Sequence, residues 1–213
     1  MKAPDDRLEL PCILGTDALK VAVDPISFSD KTFAETDWYY LDNGFRSKQD
    51  MYKEHEPIVQ LAGQTLSYSV GNVLDLGCGN GVLLKKICHS NHGLVPWGLD
   101  RSRDAIAHAR LLSPRYADHF VLADIFDDCA VWSNGRGFEL VVLMLGRLRE
   151  VPRACADKLL GRIKKSAGNL LVYAYDAVLH QHGSLANLAG KTGVSLCDQR
   201  SAEYVALANL ERL

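Results

Sequence analysis

The run Val73-Leu74-Asp75-Leu76-Gly77-Cys78-Gly79-Asn80-Gly81 restricts this chain more than any other part of it. Apolar residues around a single acid lead into a glycine at every second position, and another apolar run follows directly. This is the form of a buried parallel strand that ends in a tight turn with a helix opening behind it. Bulky side chains in such a turn would hold the backbone away from a ligand and disfavour the positive φ it uses. The segment therefore predicts a βα unit whose turn cradles a nucleotide-derived group.

Glycine spacing separates the candidates for that group. A dinucleotide fingerprint, G-x-G-x-x-G/A, needs a small residue where Val82 stands. The phosphate-loop signature fails because Lys85 and Lys86 lie beyond the turn with no Ser or Thr behind them. An acid two residues before the first glycine suits a ligand bearing an ammonium group better than a pyrophosphate. Asp75-x-Gly77-x-Gly79-x-Gly81 resembles the first motif of class I S-adenosylmethionine-dependent methyltransferases, with nine consecutive residues that fit in chemistry and order. The resemblance covers about residues 70–175. It implies an α/β fold with a doubly wound, mostly parallel, Rossmann-like seven-stranded sheet. It also implies S-adenosylmethionine as cofactor, held by Asp75, Gly77, Cys78, Gly79 and Gly81.

Two later segments extend the resemblance. In Trp97-Gly98-Leu99-Asp100 an acid closes a second apolar run, 23 positions after Gly77. A nucleotide site needs a carboxylate there to accept hydrogen bonds from ribose hydroxyls; the alternative is an acid that caps the next helix. In the methyltransferases the following residue, Arg101, lies against the adenine face. In Phe120-Val121-Leu122-Ala123-Asp124-Ile125-Phe126, Asp124 matches the family position that accepts from the adenine amino group, and the Ile125 N–H reaches the ring. Asp75, Asp100 and Asp124 thus end three successive strands, whose carboxyl ends converge on one crevice. By the same resemblance Leu143, on the fourth strand, borders the cofactor.

From residue 73 onward, apolar runs alternate with amphipathic stretches. Strands are expected near 73–77, 94–99, 119–123, 138–145 and 169–175, with helices at 81–90, 102–112, 151–166 and 184–192. Residues 194–197 and 204–210 would add a terminal strand pair, with helix as the alternative for the last segment. Residues 1–68 read as a helical lid or flank to a core at 69–213, with a helix at 47–66 bent or interrupted by Pro57. Aromatics concentrate in that flank around Trp38-Tyr39-Tyr40, and Arg46 could pair with a carboxylate of the cofactor or of a substrate.

At 213 residues and 47% hydrophobic, the chain can bury one sizeable core. A net charge of −2 argues against nucleic acid or an anionic membrane as the main partner. No apolar run is long enough to span a bilayer, and no signal-peptide core follows Met1–Arg7. The six cysteines form no C-x-x-C pair and read as reduced thiols of a cytoplasmic protein.

The stretch after the fourth strand, Gly146-Arg147-Leu148-Arg149-Glu150, lacks the [DNS]-Pro-Pro-[FYW] and Pro-Cys signatures of other methyltransferases. An apolar site with one cation implies catalysis by positioning, because a sulfonium is already an activated electrophile. A general base is needed only if the acceptor must lose a proton. Candidates are His180 and His182, in a loop after the fifth strand, and Tyr39 or Tyr40 in the lid. His180-Gln181-His182 with Asp176 is a poor ligand set, and no metal is expected. Arg147, Arg149, Arg153, Lys158, Arg162, Lys164 and Lys165 could line a nucleic-acid groove, but without interleaved aromatics they read as a solvated face. The expectation is methyl transfer to an O, N or C atom of a small or medium-sized acceptor. Alternatives are an RNA or protein methyltransferase, a nicotinamide oxidoreductase, and a cofactor-binding subunit without activity.

Overall fold

The apolar runs form seven strands of one sheet: β1 (Gly71–Leu76), β2 (Leu94–Asp100), β3 (Phe120–Leu122), β4 (Leu140–Met144), β5 (Leu170–Tyr173), β6 (Leu196–Ala202) and β7 (Val205–Ala208). They belong to a computed structural model that describes residues 45–213 apart from Ser90, Ser133, Asn134 and Glu203. The strand order is β3-β2-β1-β4-β5-β7-β6. The first five strands are mutually parallel, and β7 runs antiparallel to both β5 and β6. Expectations for Trp38, Tyr39 and Tyr40 lie outside the described residues.

Both faces of the sheet are covered, which is why its central strands read as nearly continuous apolar runs. Alternation along β1 sends Leu74 and Leu76 into one core and Val73 into the other. The Val73 side is closed by α1 (Lys48–Thr65), α2 (Val82–His89) and α3 (Arg103–Leu112), through Ile58, Leu61, Leu84 and Ile106. The Leu74 side is closed by α4 (Arg153–Ser166) and α6 (Leu185–Thr192), through Leu159, Ile163 and Leu188. This is a doubly wound sheet. Its strand order reverses between β1 and β4, the position at which such sheets leave a crevice at their carboxyl ends.

Two expectations need correction. Pro57 does not interrupt α1, which starts where the Ser47 hydroxyl accepts the Asp50 N–H at 3.1 Å and runs unbroken to Thr65. The segment after β5 is not a loop but a short helix, α5 (Asp176–His182), closed by Gly183 at φ +82°. The good helix formers Ala177, Leu179 and Gln181, with Gly183 behind them, are a helix-and-stop signal that the two histidines obscured.

The start of α2 lies tightly against α3. Gly81 has φ +76°, and a Cβ there would come within 3.0 Å of Ala109 Cβ and 3.3 Å of the Phe120 ring. Gly81→Ala therefore combines left-handed strain with a clash in a packed core, and is expected to cost about 1–3 kcal/mol. Thermal unfolding should show a fall of several degrees; an unchanged Tm would contradict this packing.

Candidate active site

The carboxyl ends of β1, β2 and β3, together with the turn after β4, surround an open cleft of about 110 Å³. Gly77, Asp100, Arg101, Asp124 and Ile125 line it, so five of the residues expected from sequence meet in one place. Phe126, Arg147, Glu150 and Val151 complete the lining.

The glycine turn is pinned from both ends. The Gly77 and Cys78 N–H groups both donate to Leu99 O at 2.8 Å, and the Gly81 N–H donates to Cys78 O at 2.9 Å. Gly77 and Gly79 have φ of +86° and +52°, and a Cβ built on either meets no atom within 4 Å. At Gly77, which borders the cleft, side-chain volume would be taken from the open space itself.

Asp100 holds this turn to β2. Its Oδ2 accepts the Gly79 N–H and its Oδ1 the Ser102 N–H, each at 2.8 Å. The cap of α3 is Ser102, whose Oγ accepts the Ala105 N–H at 3.3 Å. Asp100 is therefore not there to cap the helix. Asp124 makes a local turn, its Oδ1 accepting the Phe126 N–H at 3.0 Å. Arg162 of α4 fixes the same loop by donating to Phe126 O at 3.1 Å and Asp127 O at 2.7 Å.

Other cations of α4 are also committed within the fold. Arg153 pairs with Asp157 at 2.8 Å and donates to Thr192 O at 2.9 Å. Lys164 donates to Glu211 O and Leu213 O, both at 3.1 Å. Arg153, Arg162 and Lys164 serve as internal struts rather than as a free basic surface.

Asp75 is 1% exposed, and its Oδ1 has no hydrogen-bond partner. Burial pushes its carboxyl up to about 7, with the charge of Asp100 acting in the same direction. Beyond it, the phenols of Tyr173 and Tyr175 are hydrogen-bonded to each other, and burial raises both. His55 is buried in the same region, with Phe45 edge-on at 5.4 Å and Lys86 Nζ 3.5 Å from its Nδ1. Burial and the Lys86 charge hold that imidazole down at about 3, so it is neutral at physiological pH.

The remaining expected residues stand away from the cleft lining. Cys78 is buried with its thiol toward Gly79 O at 3.7 Å, and Leu143 is fully buried in the core under α4. Arg46 is exposed one residue before the α1 cap. His180 is exposed on α5, and His182 meets Arg149 Nη1 at 3.0 Å through its Nδ1. The reading of the sequence missed Glu150, whose two carboxylate oxygens take Arg147 Nη1 at 3.0 and 3.1 Å. The signal was present: residues three apart eclipse in a 3₁₀ turn, and one spans Leu145–Arg149.

No protein-family model matches this chain, and no curated protein matches it in sequence. Solved structures do resemble it. The pyocyanin biosynthetic protein PhzM superposes with a TM-score of 0.53 at 16% identity, over 74% of this chain and 55% of that one. DesVI of Streptomyces venezuelae gives 0.47 at 22% identity, over 60% and 52%. The magnesium protoporphyrin IX methyltransferase ChlM of Synechocystis PCC 6803, solved with bound SAM, gives 0.45 at 17% identity, over 75% and 80%. The chain spans about half the length of DesVI and PhzM. The likeness to PhzM supports the fold expected from the sequence, a doubly wound, mostly parallel seven-stranded sheet.

Proposed function

We propose that this chain is an S-adenosylmethionine-dependent methyltransferase acting on an O, N or C atom of a small or medium-sized acceptor. One observation carries the reading: Asp100 and Asp124 meet the glycine turn at a single cleft, with Asp100 bonded directly to Gly79. A cleft of about 110 Å³ is smaller than the roughly 300 Å³ at which pockets for whole small molecules begin. Its β1–β3 side, lined by Gly77, Asp100, Arg101, Asp124 and Ile125, suits the nucleoside end of such a donor.

The residues suit that group. Gly77 lets the backbone approach it, each Asp100 oxygen keeps a lone pair for a ribose hydroxyl, and Arg101 and Ile125 flank the space for a base. The buried, unpartnered Oδ1 of Asp75 is a demand that an ammonium group would meet. Cys78, Gly79 and Gly81 shape the turn, Leu143 backs it, and Arg46 remains a candidate for the methionyl carboxylate. The bound donor supplies an activated methyl; the protein supplies alignment and exclusion of water. His180 or Tyr40 would serve as base only for an acceptor that loses a proton. Among the described residues no helix is long and apolar enough to cross a membrane, and a cytoplasmic location suits the free thiols.

Calorimetry and thermal shift against S-adenosylhomocysteine (SAH) and NAD test the reading. SAH at about 100 times its Kd should stabilise by about 2.7 kcal/mol, a rise of roughly 5–10 °C. Stabilisation by NAD and not by SAH would overturn it.

A further inference from the structure

Arg147 is the cation at the β4 end of the cleft, three residues beyond Met144, the last residue of that strand. The register partner of Met144 on β5 is Tyr173, whose phenol lies within reach of the Arg147 charge. The guanidinium is used unevenly. Both oxygens of Glu150 fall on the single nitrogen Nη1, at 3.0 and 3.1 Å. Among the described residues Nε and Nη2 have no protein acceptor. A carboxylate is best held by two nitrogens in parallel, and that edge of the fork is the one left open. Glu150 meanwhile pairs with the guanidinium through Nη1 alone. The charged lining residues are Asp100, Arg101 and Asp124 on the β2–β3 side and the Arg147–Glu150 pair on the β4 side.

We propose that Arg147 recognises a carboxylate on the methyl acceptor through its Nε–Nη2 edge, and that the acceptors are small carboxylate-bearing molecules. This rests on the methyltransferase reading above. A carboxylate held on both oxygens by a guanidinium is a poor nucleophile, so it serves as the handle that orients the acceptor while another atom of the molecule receives the methyl. Glu150 then has a positioning role, acting through Arg147.

The test uses the full chain saturated with SAH, with benzoate as probe and benzamide as its uncharged counterpart, followed by calorimetry and ligand-observed NMR. Benzoate should bind at least tenfold more tightly than benzamide. Arg147→Gln should remove that preference while SAH affinity stays within threefold of the wild type. Arg147→Lys should restore the preference only in part, because a point charge lacks the fork. Glu150→Gln should keep it. Equal binding of benzoate and benzamide to the wild type, or a preference that survives Arg147→Gln, would overturn the proposal with donor binding intact. So would a large loss of SAH affinity in Arg147→Gln, which would assign the guanidinium to the carboxylate of the donor itself. Failure of SAH to bind the wild-type chain would remove the methyltransferase reading, and this inference with it.

Discussion

Asp75→Asn should make the protein more stable above neutral pH and a poorer binder of SAH at the same time. The carboxyl is 1% exposed, has an unpartnered oxygen, and titrates near 7 instead of the ordinary 3.8. A folded-state pKa above the unfolded one means that the native state holds the proton more tightly. The associated stability is complete below about 3.8 and is lost as pH rises through about 7. That gap corresponds to roughly 4 kcal/mol in the absence of relaxation. Asparagine keeps the size and polarity of the neutral acid and never ionises. Its advantage should therefore be near zero at pH 4 and reach at least about 4 °C in Tm at pH 8. On the proposed reading SAH affinity should fall more than tenfold, because the carboxylate offered to the ammonium is gone. In the wild type, SAH binding near pH 6 should release a proton and give a calorimetric heat that varies with buffer ionisation enthalpy; in Asp75→Asn it should not. A Tm difference that is flat between pH 4 and 8 would show that the site is not strained by a buried charge.

That same acid shows how much of the molecule was readable in the chain. Its position before the glycines and at the end of an apolar run was legible, as were Asp100 and Asp124, because each sits at a local boundary between strand and turn. Strand order was not, since pairing β1 with both β2 and β4 depends on contacts far apart in sequence. The same holds for Arg162, whose role as a brace for the 124–128 loop spans 35 and 36 residues. On sequence it was one more cation on an amphipathic helix. Trp97 gave no hint that it lies stacked on His119 at 3.8 Å, with the Arg136 guanidinium also 3.8 Å from its ring. Local chemistry brought out the residues that line the β1–β3 side of the cleft. The β4 side depended on the rotation of a 3₁₀ turn that carries Arg147 and Glu150 into the wall, and apolar periodicity does not report that.

Asp100→Ala should be the most damaging single change to donor binding, and for two separable reasons. On the proposed reading the side chain no longer accepts from a ribose, and the glycine turn loses the acceptor that holds Gly79. Charge-assisted hydrogen bonds of this kind contribute about 1.5–3 kcal/mol each. A loss of about 3 kcal/mol in donor binding is roughly a hundredfold in affinity. Tm should drop as well, by roughly 3–10 °C, because the Gly79 and Ser102 N–H groups are left without their partner. Asp100→Asn separates geometry from charge. Its one carbonyl oxygen can serve Gly79 or Ser102 but not both, and its NH2 would face the other N–H, donor against donor. The asparagine variant should therefore bind SAH no better than the alanine variant, despite its closer shape. Asp124→Ala, which removes a single bond to the Phe126 N–H, should lose less stability than either. If Asp100→Asn bound SAH like the wild type, the two backbone contacts would not be what holds the turn in its binding form.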